Sequence, residues 1–253
     1  MVTIAIINQK GGVGKSTTAL NLAAQAALSK NTLLVDLDKQ ANLTRHLEQE
    51  DKDTTIRDAF LGNPFEVVTV RKKLDFIPST PKLMGIENYI QDNLSRETIL
   101  KEALEPIADN YEYIFLDCPA ELGLITVNAL TYADYVIIPM AADDYSMQGI
   151  EQLLPIIQQV RNKINPKLTI LGFVITKYDK RLNITKQIME AVHSNGWNVA
   201  LFDTLIRSNT DLVKAQHARK TIFEFDKHSN GAKDYVSLGK EVVKKIKKLQ
   251  NGK

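Results

Sequence analysis

The sequence predicts an α/β fold, in which a mostly parallel, twisted sheet carries helices on both faces. Two observations support this fold class. Short runs of β-branched and other apolar residues alternate along the chain with longer segments of helical spacing. These short runs are apolar throughout rather than at every second residue, which is typical of strands buried on both faces of a parallel sheet.

The elements follow one another in a regular order. Strands are predicted at residues 2–7, 32–37, 74–79, 111–117, 134–140 and 168–176, with a weak strand near 198–202. Helices are predicted at residues 16–29, 95–109, 122–131, 146–162, 183–194, 208–217 and 231–249. No Pro/Gly/Ser-rich linker or low-complexity block divides the 253 residues. We therefore expect one domain over 1–253, without a helix-turn-helix extension before it.

The bulk composition narrows the function classes. Hydrophobic residues make up 44% and charged residues 25%, which is ordinary for a soluble globular protein. The single cysteine, Cys118, excludes an internal disulfide framework and fits a reducing cytoplasm. No signal peptide and no run of about 18 apolar residues is present, so we expect neither export nor a membrane span.

Charge is spread unevenly along the chain. Residues 1–130 carry 13 Lys+Arg against 18 Asp+Glu, a net charge of −5, whereas residues 131–253 carry 19 against 12, a net charge of +7. Such a basic half favours an anionic partner such as nucleic acid or lipid, although charge runs usually mark solvated faces.

A glycine-rich loop separates the first strand from the first helix. It reads KGGVGKST at 10–17 and matches the P-loop pattern G-x-x-x-x-G-K-[ST], except that Gln9 replaces the first glycine. Glycines here let backbone N–H groups point at phosphate oxygens, and the helix N-terminus adds positive potential. Lys15 is therefore expected at the β- and γ-phosphates and Ser16 at Mg²⁺. The predicted nucleotide-binding residues are Gly11, Gly12, Val13, Gly14, Lys15, Ser16 and Thr17.

Acidic residues end two other predicted strands. The run YIFLD ends at Asp117, where a carboxylate in the same sheet as a P-loop is typical of the Walker-B partner of Mg²⁺. The run LLVDLD carries Asp36 and Asp38. These two residues are either turn formers or, beside a nucleotide, groups that steer Mg²⁺ and the attacking water. Ligands of parallel sheets bind at the carboxyl ends of strands, so we expect these loops to converge.

Lys10 is a second lysine in a loop that already has one. A lysine in a loop is usually a solvated surface charge. Hydrolysis of a nucleotide, however, builds negative charge on the transferred phosphoryl group, and many P-loop enzymes import a cation to offset it. Both interpretations are open at this point, and in the second Lys10 could act on a neighbouring subunit.

Taken together, these motifs resemble the deviant Walker A ATPases of the ParA/MinD family, whose loop reads K-G-G-x-G-K-[ST]. The likeness covers almost the whole chain and is closest to ParA-type partition ATPases. LLVDLDKQAN resembles L-L-V-D-x-D-P-Q-x-N with Lys39 at the proline, and IFLDCPAELG resembles I-I-D-x-P-P-S-L-G with Ala120 and Glu121 at the second proline and the serine. The segments IPMAADDYSMQGIEQLL, with Asp143 for a glutamate, and GFVITKYDKRLN also follow family patterns. The C-terminal third does so with Arg207 for proline and Arg219 for glycine.

The resemblance implies a Mg²⁺-dependent ATPase that hydrolyses ATP weakly without its partner. Lys10 would reach the ATP of the other subunit in a nucleotide-sandwich homodimer, and Asp38 would position the attacking water. Lys15 completes the catalytic set, and Asp36 would support the Mg²⁺ shell with Ser16 and Asp117. The ATP-bound dimer would bind double-stranded DNA without sequence preference. A ParB-like centromere-binding protein would stimulate hydrolysis and release, in a cytoplasmic, nucleoid-associated cycle that segregates a plasmid or chromosome.

DNA binding requires Lys and Arg on one face, to neutralise phosphates. The predicted DNA-binding residues are Arg207, Lys214, Arg219, Lys220 and Lys233, and further basic candidates are Lys186, Lys240, Lys244 and Lys245.

Three other functions are alternatives to partition. A MinD-like membrane-associated positioning ATPase would use the lysine-rich C-terminal segment as an amphipathic helix, but this segment lacks Trp or Phe anchors. An iron protein of the nitrogenase kind needs two cysteines per chain. A nucleotide switch that barely hydrolyses ATP is the third.

Overall fold

The computed structural model describes residues 1–141, 146–181, 190, 194 and 201–252, and its strands form one sheet of seven. The strand order is β3-β4-β2-β5-β1-β6-β7, and all neighbours are parallel except β3 and β4. This sheet, covered by helices on both faces, confirms the predicted fold class. The strands are β1 (Val2–Ile6), β2 (Thr32–Asp36), β3 (Val68–Arg71), β4 (Leu74–Ile77), β5 (Tyr113–Asp117), β6 (Tyr135–Ala141) and β7 (Thr169–Thr176).

Helices pack on both faces and divide the core into two apolar layers. One layer contains side chains of α3, α5, α6 and α7, and the other contains side chains of α1, α9 and α10. The helices are α1 (Lys15–Ala26), α2 (Asn42–His46), α3 (Ile56–Phe60), α4 (Glu87–Ile90), α5 (Ile99–Ala108), α6 (Leu124–Tyr132), α7 (Ser146–Lys163), α8 (Thr210–His217), α9 (Ile222–Asp226) and α10 (Asn230–Asn251). A 3₁₀ turn spans Pro81–Leu83.

Each predicted strand and helix that falls on the described residues is present, with ends shifted by a few residues. The sequence did not reveal α2, α3, α4 or α9, because helices of four or five residues are too short to show a helical period. It also missed β3, an edge strand whose sequence VTVR is not an unbroken apolar run. The predicted helix 183–194 lies outside the described residues apart from single positions. Of the weak strand near 198–202, the described Leu201 forms a parallel bridge with Phe173.

The long C-terminal helix α10 supports the helix that follows the P-loop. Ser229 caps α10 by accepting a hydrogen bond from the amide of Ala232 at 3.1 Å. The apolar face of α10 is buried in the same core layer as α1, and the Tyr235 hydroxyl lies 3.2 Å from Thr18 Oγ1. Because α1 begins at Lys15, this packing fixes the position of the P-loop helix relative to the sheet.

Candidate nucleotide-binding site

Three adjacent strands bring the predicted site residues to one edge of the sheet. β5 lies between β2 and β1, with Asp36 of β2 and Ile6 of β1 both paired with Asp117. Neighbouring strands are about 4.8 Å apart, so the ends of β1, β2 and β5 present their loops side by side. The P-loop and the three aspartates therefore converge, as the sequence predicts for the carboxyl edge of a parallel sheet.

The backbone of the P-loop depends on two glycines with positive φ. Gly12 has φ 73° and Gly14 has φ 87°, in the left-handed region where a side chain is strained. Gly11 and Gly12 are exposed, whereas Val13 is buried beneath them. The loop thus turns its backbone outward and enters α1 directly, which is the geometry that exposes N–H groups to an anion.

Lys15 lies inside the site rather than on its rim. Its side chain is 8% exposed, and its Nζ donates to the Lys10 carbonyl oxygen at 3.2 Å. Burial lowers the pKa of Lys15, and the nearby Asp117 and Asp38 carboxylates oppose this shift. A buried ammonium next to carboxylates is held ready for a further anion, because each added negative charge favours its protonated form.

Asp117 is the best candidate for an Mg²⁺ partner. Its side chain is 1% exposed and its Oδ1 has no hydrogen-bond partner among the described residues. Burial raises the pKa of Asp117 well above the ordinary value; the charge of Asp36 adds to this, and a hydrogen bond from the Ser16 side chain opposes it. Asp117 therefore offers a buried carboxylate oxygen that lacks a hydrogen-bond donor in the described chain, and the same carboxylate accepts a hydrogen bond from the Ser16 hydroxyl. This arrangement fits a hydrated divalent cation. Among the described residues, no group of three or more His, Cys, Asp or Glu side chains is placed to hold a metal ion by itself.

Asp36 is bonded to its own loop. Its Oδ1 accepts from the Asp38 amide at 3.1 Å, and its Oδ2 accepts from both the amide and the hydroxyl of Thr44, at 3.0 and 2.9 Å. Complete burial raises the pKa of Asp36 to about 6, although these hydrogen bonds lower it. Asp36 therefore shapes the loop and acts on Asp117 through its charge.

Asp38 lies at the partly exposed tip of the same loop. Its Oδ1 accepts from the Gln40 amide at 2.9 Å, and its carbonyl oxygen accepts from Ser79 Oγ at 2.8 Å. The Ser79 amide in turn donates to Thr44 Oγ1 at 2.8 Å. Asp38 is thus held by backbone contacts near Lys15, with part of its carboxylate accessible to solvent.

Three residues that the sequence did not single out anchor the P-loop from below. Asn8 is fully buried; its Nδ2 donates to the Pro139 carbonyl at 2.7 Å, and its Oδ1 accepts from the Lys10 amide at 3.0 Å. The Thr176 hydroxyl donates to the Val13 carbonyl at 2.8 Å. Gly149 of α7 leaves room for Asn8, because a Cβ at Gly149 would lie 2.9 Å from Asn8 Oδ1. Gly149 and Thr176 lie in the segments IPMAADDYSMQGIEQLL and GFVITKYDKRLN, whose likeness to the family patterns is the signal by which the sequence could have indicated them.

Lys10 and Thr17 flank the loop on its two sides. Lys10 is partly exposed, and its backbone amide donates a hydrogen bond to the Asn8 side chain two residues earlier. Thr17 is partly exposed on the first turn of α1, and its carbonyl accepts from Asn21 Nδ2 at 2.8 Å.

Of the predicted DNA-binding residues, Arg207 precedes α8 and the other four lie on or between α8, α9 and α10. Three of the five form ion pairs within the chain. The Arg207 guanidinium donates three hydrogen bonds to the buried Asp234, the shortest 2.6 Å, and the Arg207 amide donates a fourth at 3.0 Å. Lys214 pairs with Asp211 at 3.3 Å, and Arg219 pairs with Glu48 at 2.8 Å. Arg219 also has φ 55°, which explains why glycine suits this position.

Lys220 and Lys233 are exposed and form no ion pair with any residue of the described chain. Among the further basic candidates, Lys245 lies 4.1 Å from the Phe202 ring centroid, Lys240 and Lys244 are exposed, and Lys186 is outside the described residues.

The fold and this loop together define a P-loop nucleotide-binding protein whose loop carries an additional lysine. A family model described as AAA domain (AAA_31) matches residues 1–170. The chain is 41% identical to the sporulation initiation inhibitor protein Soj of Bacillus subtilis (strain 168), over 95% of this chain and 97% of that protein. It is 39% identical to the chromosome partitioning protein ParA of Myxococcus xanthus (strain DK1622), over 96% and 88%. The chain therefore belongs to the ParA/Soj family of P-loop ATPases.

The fold also matches solved structures along its whole length. A cobyrinic acid a,c-diamide synthase of Mycobacterium smegmatis, with bound ATP analogue and magnesium, superposes with a TM-score of 0.83. Its sequence identity is 26%, with 98% of this chain and 96% of that chain covered.

Proposed function

We propose that this protein is an ATP-dependent partition ATPase that acts as one domain over residues 1–253 and requires Mg²⁺. The observation that carries the proposal is the buried Asp117 Oδ1, which has no hydrogen-bond partner in the described part of the chain and lies close to the buried Lys15 of the P-loop. Relatives with 39% and 41% identity named for chromosome partitioning and sporulation control support the biological assignment. The ATP analogue and magnesium bound to the structural neighbour support the choice of cofactors.

The side chains divide the work at the ATP phosphates. The amides of the loop 11–17 bind phosphate oxygens, and the Lys15 ammonium offsets their charge from within the site. Ser16 and Asp117 would hold Mg²⁺, with Asp36 influencing Asp117 through its charge. Bound Mg²⁺ neutralises charge that develops on the phosphate oxygens. Asp38, at the tip of its loop, orients the attacking water.

Lys10 supplies the second cation, from the partner subunit of an ATP-bound homodimer. Its partly exposed position at the mouth of the loop supports this assignment, because a side chain buried in its own subunit could not reach another one. A cation aimed at the transferred phosphoryl group stabilises charge that is larger in the transition state than in the ground state.

The anionic partner is double-stranded DNA, and a ParB-like protein stimulates hydrolysis. The basic second half of the chain supports DNA, with Lys220 and Lys233 as exposed cations and Arg207, Lys214 and Arg219 as cations already paired with carboxylates. In this proposal the protein acts in the cytoplasm, bound to the nucleoid.

A MinD-like attachment to membranes is less well supported. Leu238, Val242 and Ile246 of α10 are buried in the core layer that includes α1, so the apolar face of this helix is occupied. Among the described residues, no helix is both long and apolar enough to cross a membrane.

The decisive experiment compares the two lysines. Wild-type protein, Lys10→Ala and Lys15→Ala are measured for binding of a fluorescent ATP analogue, phosphate release, and ATP-dependent retention on non-specific DNA. We expect Lys10→Ala to bind ATP within about threefold of wild type and to lose at least about 90% of hydrolysis, because its cation acts on the transition state. Lys15→Ala should lose nucleotide binding itself.

Normal hydrolysis by Lys10→Ala would refute the two-subunit site. Absence of ATP-dependent DNA retention in the wild-type protein, with ATP binding intact, would refute the partition function while leaving the ATPase assignment standing.

A further inference from the structure

Two loops that follow the neighbouring strands β2 and β5 lie side by side at the site. The β2 loop contains residues 37–40 and includes Asp38, while the β5 loop contains residues 118–123 and follows Asp117. At their bases they are joined by the sheet, where the Leu37 amide donates to the Asp117 carbonyl at 3.0 Å. Above this point the strands have ended, so the ladder no longer fixes the distance between the loops.

A single ion pair joins the two loops beyond the end of the ladder. Lys39 Nζ lies 2.6 Å from Glu121 Oε1. The Lys39 side chain is 25% exposed and that of Glu121 is 67% exposed, so the pair is partly shielded on the lysine side. Both residues occur where the chain departs from the family patterns given above, at a proline and a serine position.

The two loops are otherwise held by hydrogen bonds to different neighbours. Ser79 Oγ holds the β2 loop through the Asp38 carbonyl at 2.8 Å. The β5 loop is held by Thr126 Oγ1, which donates to the Glu121 carbonyl at 2.6 Å, and by Glu87, whose carboxylate accepts from the Leu124 amide at 2.6 Å. Because none of these hydrogen bonds connects one loop to the other, the Lys39–Glu121 ion pair is the side-chain contact that links them.

We propose that Lys39 and Glu121 form an interloop clamp that positions Asp38 opposite Asp117 for hydrolysis. The inference rests on the proposed ATPase function and adds two positioning residues to it. Lys39 is adjacent to Asp38 in the chain, and a shift of the clamp therefore moves the Asp38 carboxylate relative to the magnesium side of the site. The clamp affects the orientation of the attacking water, whereas phosphate binding depends on the P-loop. Breaking the clamp therefore lowers kcat and leaves KM for ATP unchanged.

The expected effect is modest, because the pair is partly exposed. Exposed ion pairs contribute up to about 1 kcal/mol, which corresponds to about a fivefold change in rate. We expect Lys39→Met and Glu121→Gln each to lower kcat by about two- to fivefold with KM for ATP unchanged. In the double variant K39E/E121K, the reversed pair should restore at least half of the wild-type kcat.

A second readout is independent of hydrolysis. Amide hydrogen exchange of the β2 loop in the nucleotide-free protein should be faster in both single variants and slow again in K39E/E121K. Lys30→Met is the matched control, because the pair of Lys30 with Glu112 (3.6 Å) joins the opposite ends of the same two strands. This control should leave both kcat and exchange of the β2 loop at wild-type values.

The clamp is refuted if Lys39→Met exchanges like the wild type, or if the reversed pair restores neither property. A wild-type protein that hydrolyses no ATP would refute the proposed function, and the exchange data would still decide whether the clamp exists.

Discussion

The hydroxyl of Thr176 offers a sharp test of how the P-loop is held. Thr176 ends β7, is 3% exposed, and places its Oγ1 2.8 Å from the Val13 carbonyl and 3.1 Å from the Met140 carbonyl. Thr176→Val keeps the branched shape but removes the donor. The Val13 carbonyl, which is part of the P-loop, then loses the hydrogen bond from the Thr176 hydroxyl.

The magnitude follows from the cost of a lost buried hydrogen bond. Leaving a buried acceptor without its donor costs about 1–3 kcal/mol, so we expect Thr176→Val to lower the free energy of unfolding by about 2 kcal/mol. Thr131 provides the matched control, because it is 8% exposed and its Oγ1 has no partner among the described residues. Thr131→Val removes an unsatisfied hydroxyl and should raise the free energy of unfolding by about 1 kcal/mol.

Urea unfolding of the nucleotide-free protein measures both variants. The urea concentrations at the midpoint of unfolding should move in opposite directions for the two variants. The m values should be unchanged, since neither substitution alters the surface exposed on unfolding. A fluorescent ATP analogue should bind Thr176→Val about tenfold more weakly, the equivalent of about 1.4 kcal/mol lost from loop order. If Thr176→Val unfolds within about 0.5 kcal/mol of wild type and binds nucleotide equally well, the hydroxyl does not hold the loop.

Further substitutions test other buried contacts. Gly149→Ala would place a Cβ 2.9 Å from Asn8 Oδ1, so we expect a loss of about 1–2 kcal/mol in urea unfolding. Gly239→Ala, which meets only a flexible glutamine side chain, should instead be neutral or stabilising, and equal effects would contradict the argument. Burial lowers the pKa of His46 below its ordinary 6.5, so the unfolded chain binds this proton more readily than the folded one, and the contribution of His46 to stability is lost as the pH drops below about 6.5. His46→Gln should remove this contribution, so lowering the pH from about 8 to about 5 should destabilise the wild type more than the variant in urea unfolding, and an equal loss in both would contradict the argument.

The long elements of the fold were predictable because their signals are local. Five-residue or longer apolar runs and helical periods gave every major strand and helix of the described chain. The missing elements, such as Val68–Arg71 and Ile222–Asp226, are short pieces whose form depends on neighbours. β3 pairs antiparallel with β4 at the edge of the sheet, and nothing in four residues specifies that partner.

The candidate site divides in the same way. The sequence determined the P-loop, Asp117, and the pair Asp36 and Asp38, because glycine, lysine and carboxylate must occur in these types and spacings whatever surrounds them. It also indicated Lys10 as an unusual second cation. These residues lie in three loops, and the parallel sheet brings the loops together by a general rule.

Only the tertiary structure decided how the loops are held and which carboxylate remains available. Asp36 and Asp117 look equivalent as strand-ending acids, yet Asp36 accepts three hydrogen bonds while Asp117 Oδ1 accepts none among the described residues. The contacts of Asn8 and Thr176, and the Lys39–Glu121 pair, join residues far apart in the chain. Hydrogen bonds and ion pairs depend on distance in space, so a linear sequence specifies the groups that can form them but leaves their partners to the fold.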